Sequence, residues 1–204
     1  KLTTSLESSG YVNMTIDAMK KFGVSVKCEN GIYYSLGKYT SPEEIKAGGD
    51  WSNAAFFLCA AKEISPVTVT DIDPESLQPD IKIIDILTQC GFKITKTANS
   101  VTVCRPESNK VFPFDIDAGE TPDLVPILCV LAGTICGDSI IRNVSRLKYK
   151  ESDRIHAVCS MINSLGGNAC TDEKTIFIKG KGFFYGGTVD SFNDHRIAMS
   201  AAIA

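Results

Sequence analysis

Two stretches of this chain set basic side chains at what read as helix starts. Lys150-Glu151-Ser152-Asp153-Arg154 runs into an apolar helical face that opens at Ile155, and the spacing predicts a helix beginning near Ser152. Acidic residues suit the positive end of a helix dipole, but Lys150 and Arg154 oppose it at about 0.3–1 kcal/mol each. Asp190-Ser-Phe-Asn-Asp-His-Arg-Ile-Ala-Met repeats the theme, with Asn193 or Asp194 as cap and His195 and Arg196 in the first turn. Cations beside unsatisfied backbone N–H groups make a site for phosphate or carboxylate. A third start, Thr121-Pro122-Asp123, reads as ordinary capping, with Thr121 as N-cap and Pro at N1. If the fold gathers these starts, Asp123 and Glu151 form a carboxylate pair among Lys150, Arg154 and Arg196. That is equipment for acid–base chemistry on an anionic substrate. Spacing alone leaves a solvated helix turn and a structural histidine as accounts of the same residues. His156 reads as a plain helix residue, and Ser8 and Tyr11 as cap and loop.

The elements that must position these residues recur. Three segments share an amphipathic helix, a glycine, a strand, a polar turn and a second strand, pivoting on Gly23, Gly91 and Gly166. Each glycine follows the last apolar helical position, where a left-handed residue costs least as Gly, and each opens a hairpin. Apolar runs of helical length, Ser52 to Ala61 and Pro122 to Ala132, precede two of these units and are followed by strands at Val67–Ile72 and Ser139–Val144. Further strands are expected before the first helices, at Val111–Ile116 and Thr188–Phe192. The sum is a βαβαββ unit, α/β in class, with mixed sheets covered by helices. The Ser52–Ala61 helix, apolar almost all round, is expected to be buried on every side. Tyr39 to Gly49 has linker composition and marks a domain crossing.

The remaining composition excludes several partners. With 21 basic and 24 acidic side chains the formal charge is −3, which supplies no electrostatic drive toward nucleic acid or an anionic membrane. No apolar stretch approaches the roughly 20 residues of a bilayer span. Eight cysteines at irregular spacing, several within apolar runs, read as reduced thiols in a cytoplasmic protein. The chain begins without Met and stops inside an apolar helix, as a fragment of a longer protein would.

Gly49-Asp-Trp-Ser-Asn-Ala-Ala, Pro122-Asp-Leu-Val-Pro-Ile-Leu, Arg146-Leu-Lys-Tyr-Lys-Glu-Ser-Asp-Arg and the Asp190 to Met199 motif, in this order, resemble the 3-phosphoshikimate 1-carboxyvinyltransferase (EPSP synthase) family. Ser8-Ser-Gly-Tyr-Val-Asn-Met-Thr matches the segment upstream, although Ser-Gly stands where many relatives have Lys-Pro. The resemblance covers essentially the whole chain. It implies two domains, each of three βαβαββ units, with mixed sheets surrounding buried parallel helices in an inside-out barrel. Residues 1–47 would then be the last unit of one domain, and 48–204 two units and the start of a third from the other. The implied reaction transfers the enolpyruvyl group of phosphoenolpyruvate to the 5-hydroxyl of shikimate 3-phosphate and releases phosphate, with no metal or organic cofactor.

By the same resemblance Asp123 contacts the shikimate hydroxyls and accepts a proton, Glu151 protonates the methylene carbon, and Lys150 binds shikimate 3-phosphate and steadies developing charge. Arg154 and Arg196 hold phosphoenolpyruvate, His195 adjoins Glu151, and Ser8 and Tyr11 reach shikimate 3-phosphate from the opposite domain. Upstream lysine, serine, arginine and glutamine positions, and a lysine past Ala204, are lacking, so the chain alone forms half a site at most and is expected to be inactive. The whole protein is expected to be a monomer with no nucleic-acid or membrane partner. The rival readings are a UDP-N-acetylglucosamine enolpyruvyl transferase, an RNA 3′-phosphate cyclase, and a non-catalytic binding or structural half-module. The first lacks the Lys-Glu-Ser-Asp-Arg motif, and the second prefers a basic groove.

Overall fold

A computed structural model describes residues 6–204. Helix α1 (Ser9–Lys21) leads through Gly23, at φ 82°, into the antiparallel hairpin β1 (Ser25–Glu29) and β2 (Ile32–Leu36). After residues 37–50, which form no helix or strand, come α2 (Trp51–Ala60) and β3 (Val67–Thr70). A 3-10 turn at Pro79–Lys82 precedes α3 (Ile83–Gln89), which ends at Gly91, φ 96°, before β4 (Lys93–Lys96) and β5 (Ser100–Cys104). The next unit runs β6 (Asp115–Asp117), a 3-10 turn (Pro122–Leu124), α4 (Val125–Gly133), β7 (Gly137–Arg142) and a 3-10 turn (Ser145–Tyr149). It continues with α5 (Arg154–Ser164), β8 (Ala169–Thr171) and β9 (Thr175–Gly180), and α6 (His195–Ile203) opens the next copy. Gly166, at φ 85°, is the third pivot, so all three glycines adopt the conformation that side-chain-bearing residues avoid.

Among the described residues three sheets result, with strand orders β1-β2, β3-β5-β4 and β6-β7-β9-β8. In both larger sheets the second strand of the hairpin lies centrally and pairs antiparallel with the strand after the first helix; β6 adds to β7 in parallel. The core lies between the sheets. All nine residues of α4 are buried, and α2, α4 and α6 pack on one another with their N-termini at one end. At about 1.5–3 kcal/mol for each large aliphatic side chain removed from water, α4 anchors the assembly through Ile127, Leu128 and Leu131.

The structure corrects several expectations. Helix α2 is not buried all round, because Phe57 is 61% exposed. The first strand of the β6-β7-β9-β8 sheet starts at Asp115 rather than Val111, since Pro113 lacks the N–H a ladder needs. No strand forms over 188–192. Strand β6 is held by β7, whereas 188–192 finds no such edge among the described residues, and Phe192 and Asn193 turn left-handed to enter α6. Helix α5 begins at Arg154, two residues later than Ser152, because Asp153 takes the cap by accepting the His156 N–H at 3.2 Å. Thr121 does not cap with its side chain; its hydroxyl is buried without a partner among the described residues.

Candidate active site at the helix tips

Three aspartates open the structure of the site. Asp50 caps α2 by accepting the Ser52 N–H at 2.9 Å, and Asp194 caps α6 by accepting the Arg196 N–H at 2.9 Å. Asp123 lies in the 3-10 turn before α4. Counting from the cap position, Ser52, Asp123 and Arg196 are the second helical residue in three copies of the repeat. They meet: Arg196 Nη2 donates to Ser52 Oγ at 3.1 Å and to Asp123 Oδ2 at 3.3 Å.

Arg154 is the hub of the charges. Its guanidinium has no exposed surface and donates through Nε to Asp194 Oδ2 at 2.7 Å, through Nη1 to Asp123 Oδ1 at 2.9 Å, and through Nη2 to Glu151 and Asp194. A planar fork with five N–H groups can serve three carboxylates at once, which an ammonium cannot. Lys150 Nζ stands 3.2 Å from the same Asp123 oxygen. Three cations and three carboxylates thus balance within one cluster, so removing any member leaves a charge without its partner.

Burial disfavours ionisation of Asp123, but the charges of Arg196, Lys150 and Arg154 outweigh it and hold its carboxyl below the usual range. The same contest, burial against the Arg154 hydrogen bond, leaves Asp194 below the usual range as well. Asp80 goes the other way. It has no exposed surface, and desolvation reinforced by the charge of Asp123 raises its pKa despite hydrogen bonds from Tyr11 and Gln78.

A cleft of about 360 Å³ lies beside these tips, lined by Tyr11, Gly49, Asp50, Gln78, Asp123 and Arg196 among others. Arg196 Nη1 is buried and has no partner among the described residues. A guanidinium nitrogen left idle beside a cleft, with Asp123 already satisfied, is a ready donor to an incoming anion.

Of the residues singled out in the sequence, Asp123, Lys150, Glu151, Arg154 and Arg196 are brought together. Glu151 is half-exposed and bonded to Arg154. His195 is 58% exposed, with Nδ1 4.0 Å from Asp194. Tyr11 reaches the cluster through Asp80, to which its hydroxyl donates at 2.6 Å. Ser8 lies at the start of α1, its N–H donating to Glu120 at 2.8 Å and its Oγ accepting from Arg146 at 3.0 Å. The sequence reading missed Asp194 as an ion-pair partner and missed Ser52, Asp50, Gln78 and Asp80 altogether. The signal available was register: Asp50 and Asp194 occupy the same place in the repeat.

Relatives carry the same chain design. The family model for EPSP synthase (3-phosphoshikimate 1-carboxyvinyltransferase) matches residues 1–204. A 3-phosphoshikimate 1-carboxyvinyltransferase of Clostridium novyi is 40% identical over 205 residues, covering 100% of this chain and 46% of the relative. One from Methanocorpusculum labreanum is 38% identical over 204 residues, covering 100% and 48%. Among solved structures, EPSP synthase from Acinetobacter baumannii superposes with a TM-score of 0.76 at 24% identity, covering 100% of this chain and 48% of that one. The enolpyruvyl transferase NikO from Streptomyces tendae superposes at 0.68 and 15% identity, covering 97% and 46%. The last two likenesses concern the fold, which is that of the enolpyruvyl transferases. The chain spans about half the length of the relatives it matches. With a match along its whole length and with relatives near 40% identity, the chain belongs to the EPSP synthase (3-phosphoshikimate 1-carboxyvinyltransferase) family.

Proposed function

We propose that the whole protein carrying these residues transfers the enolpyruvyl group of phosphoenolpyruvate to the 5-hydroxyl of shikimate 3-phosphate, and that this chain supplies the acid–base half of the site. The observation that carries the reading is the convergence of two carboxylates, Asp123 and Glu151, on the buried Arg154, beside a cleft where Arg196 Nη1 has no partner among the described residues. Glu151 gives a proton to the methylene carbon of phosphoenolpyruvate, and the 5-hydroxyl oxygen bonds to the adjacent carbon while its proton passes to Asp123. The tetrahedral ketal then loses phosphate, which departs with its C–O bonding pair and takes up the proton held by Asp123, while the methyl group returns a proton to Glu151.

Asp123 among three cations is a weak base. A doubly anionic substrate draws Lys150 and Arg196 toward itself, and the basicity of Asp123 rises when it is needed. Arg196 is the main holder of the phosphoenolpyruvate anion, while Arg154 has one Nη1 hydrogen uncommitted and serves also to aim Asp123 and Glu151. Lys150 binds shikimate 3-phosphate, His195 stands at the rim, and Ser8 and Tyr11 approach from the upstream unit. Residues 1–47 close one domain and 48–204 build most of the other. The protein is a cytoplasmic monomer, and no helix of the described residues is long and apolar enough to cross a membrane.

Glu151→Gln in the whole protein tests this. Turnover, followed as phosphate release, is expected to fall by about 10²–10⁴-fold, the usual worth of a positioned general acid, with shikimate 3-phosphate still bound. Normal turnover would remove Glu151 from the chemistry. The 204-residue chain alone is expected to bind shikimate 3-phosphate in calorimetric titration without turning over.

A further inference from the structure

We propose that Asp80, held by Gln78, is a positioning residue: it fixes the Tyr11 phenol, and with it the start of α1, against the helix tips, and so shapes the seat of the shikimate ring. The inference rests on the reading of the cleft given above. Tyr11 Oη donates to Asp80 Oδ2 at 2.6 Å, and Gln78 Nε2 donates to the same oxygen at 3.1 Å and to Asp50 Oδ1 at 2.8 Å. Gln78 Oε1 accepts the Trp51 N–H at 2.8 Å, which fixes the amide's orientation because only its oxygen can accept. The relay therefore runs from the capped end of α2 through Gln78 and Asp80 to Tyr11.

Asp80 is costly to keep. It is fully buried, and its Oδ1 has no partner among the described residues. A turn at this point would be satisfied by a neutral residue with fewer idle lone pairs. What the carboxylate gains is a short bond to a phenol 69 residues away, across the segment 37–50 that forms no regular element. Gly10, next to Tyr11, supports the same contact: a Cβ there would collide with the Pro79 ring, so α1 lies directly on the turn that carries Asp80. Because its proton is committed to Asp80, Tyr11 offers the cleft its ring and a lone pair. That suits a carbocycle bearing hydroxyl donors and not a phosphate oxygen.

In the whole protein, Asp80→Ala is expected to raise KM for shikimate 3-phosphate about tenfold, with kcat within about twofold and KM for phosphoenolpyruvate little changed, the pattern of lost uniform binding. Tyr11→Phe, which keeps the ring, should reproduce the rise even if Asp80→Ala fails to fold. The double variant should add nothing further, and Asp80→Asn, which keeps an oxygen acceptor, should recover most of the loss. Additive effects, a normal KM, or a fall in kcat matching the rise in KM would overturn the proposal. Hydrogen exchange over residues 9–21, which needs no substrate, separates this inference from the functional reading. Faster exchange in Asp80→Ala alongside an inactive parent protein would sink the reaction and the ring seat but keep the latch, and unchanged exchange would sink the latch.

Discussion

Arg196 and Asp123 occupy the same position in two copies of one repeat, and the guanidinium of the first donates to the carboxylate of the second at 3.3 Å. The backbone repeat, and not a local sequence motif, makes this pair. Each lies at a helix tip, so one cation and one anion share a place where backbone N–H groups point outward.

The hub is the most fragile point. Asp194→Ala leaves Arg154 buried without the fully buried carboxylate that accepts from its Nε, and removes the α6 cap. Urea unfolding should show a loss of about 3–5 kcal/mol, the cost of orphaning a buried charge. Asp194→Asn, which retains a capping oxygen, should lose less. Near-equal stability of Asp194→Ala and the parent would mean that the cluster relaxes into water.

Arg196→Lys should weaken phosphoenolpyruvate binding more than shikimate 3-phosphate binding, because an ammonium cannot hold Ser52, Asp123 and an anion in one plane. Separate titrations of the two ligands read the difference. Equal weakening would contradict the role given to Arg196.

Acid and base act on opposite members of the site. Asp123 and Asp194 lie below the usual carboxylate range in the fold, so the stability they contribute is present above about pH 4 and is lost as pH falls through their folded values. Asp80, faced by Tyr11 from α1, by Gln78, by Asp123 before α4 and by Arg196 from α6, lies above that range. Its ionisation costs stability as pH rises from about 4 through its folded value. Asp80→Asn removes that cost, so its stability relative to the parent should improve between pH 4 and pH 8. Thermal melts at the two pH values test the sign, and a decline with pH would show that Asp80 is stabilised as an anion.

Gly91 takes φ 96° and lies under the Lys110 carbonyl, where a Cβ would sit at 3.4 Å. Gly91→Ala should cost about 1–2 kcal/mol from the left-handed backbone, read as a shift in the urea midpoint. Gly31→Ala, in a turn where a Cβ meets nothing within 4 Å, is the comparison that isolates backbone strain from crowding.

Local rules carried the reading of the fold. The pivots at Gly23, Gly91 and Gly166 and the hairpins after them follow from helix termination and turn chemistry within a few residues, and all three form. The 188–192 strand was misread because a strand exists only with a neighbour, and composition does not say whether an edge is there. Lys150, Arg154 and Arg196 were legible as misplaced charge, and Asp123 and Glu151 joined them only on the condition that the fold gathers the helix starts. Asp194 was legible only as a cap, since a capping aspartate and an ion-paired one look alike until Arg154 is placed 2.7 Å away. Gln78 and Asp80 were invisible, because what gives them a role is Tyr11, far off in the chain.

The meeting of Ser52, Asp123 and Arg196 has one more consequence. A near-symmetric scaffold delivers three matching spots, and the chain fills them with a hydroxyl, an anion and a cation, so polarity arises from side-chain choice alone while the frame stays indifferent to it. Exchanging the last two, as Asp123→Arg with Arg196→Asp, would keep the pair but turn its field around. A ligand that reads direction would then meet the wrong pole first.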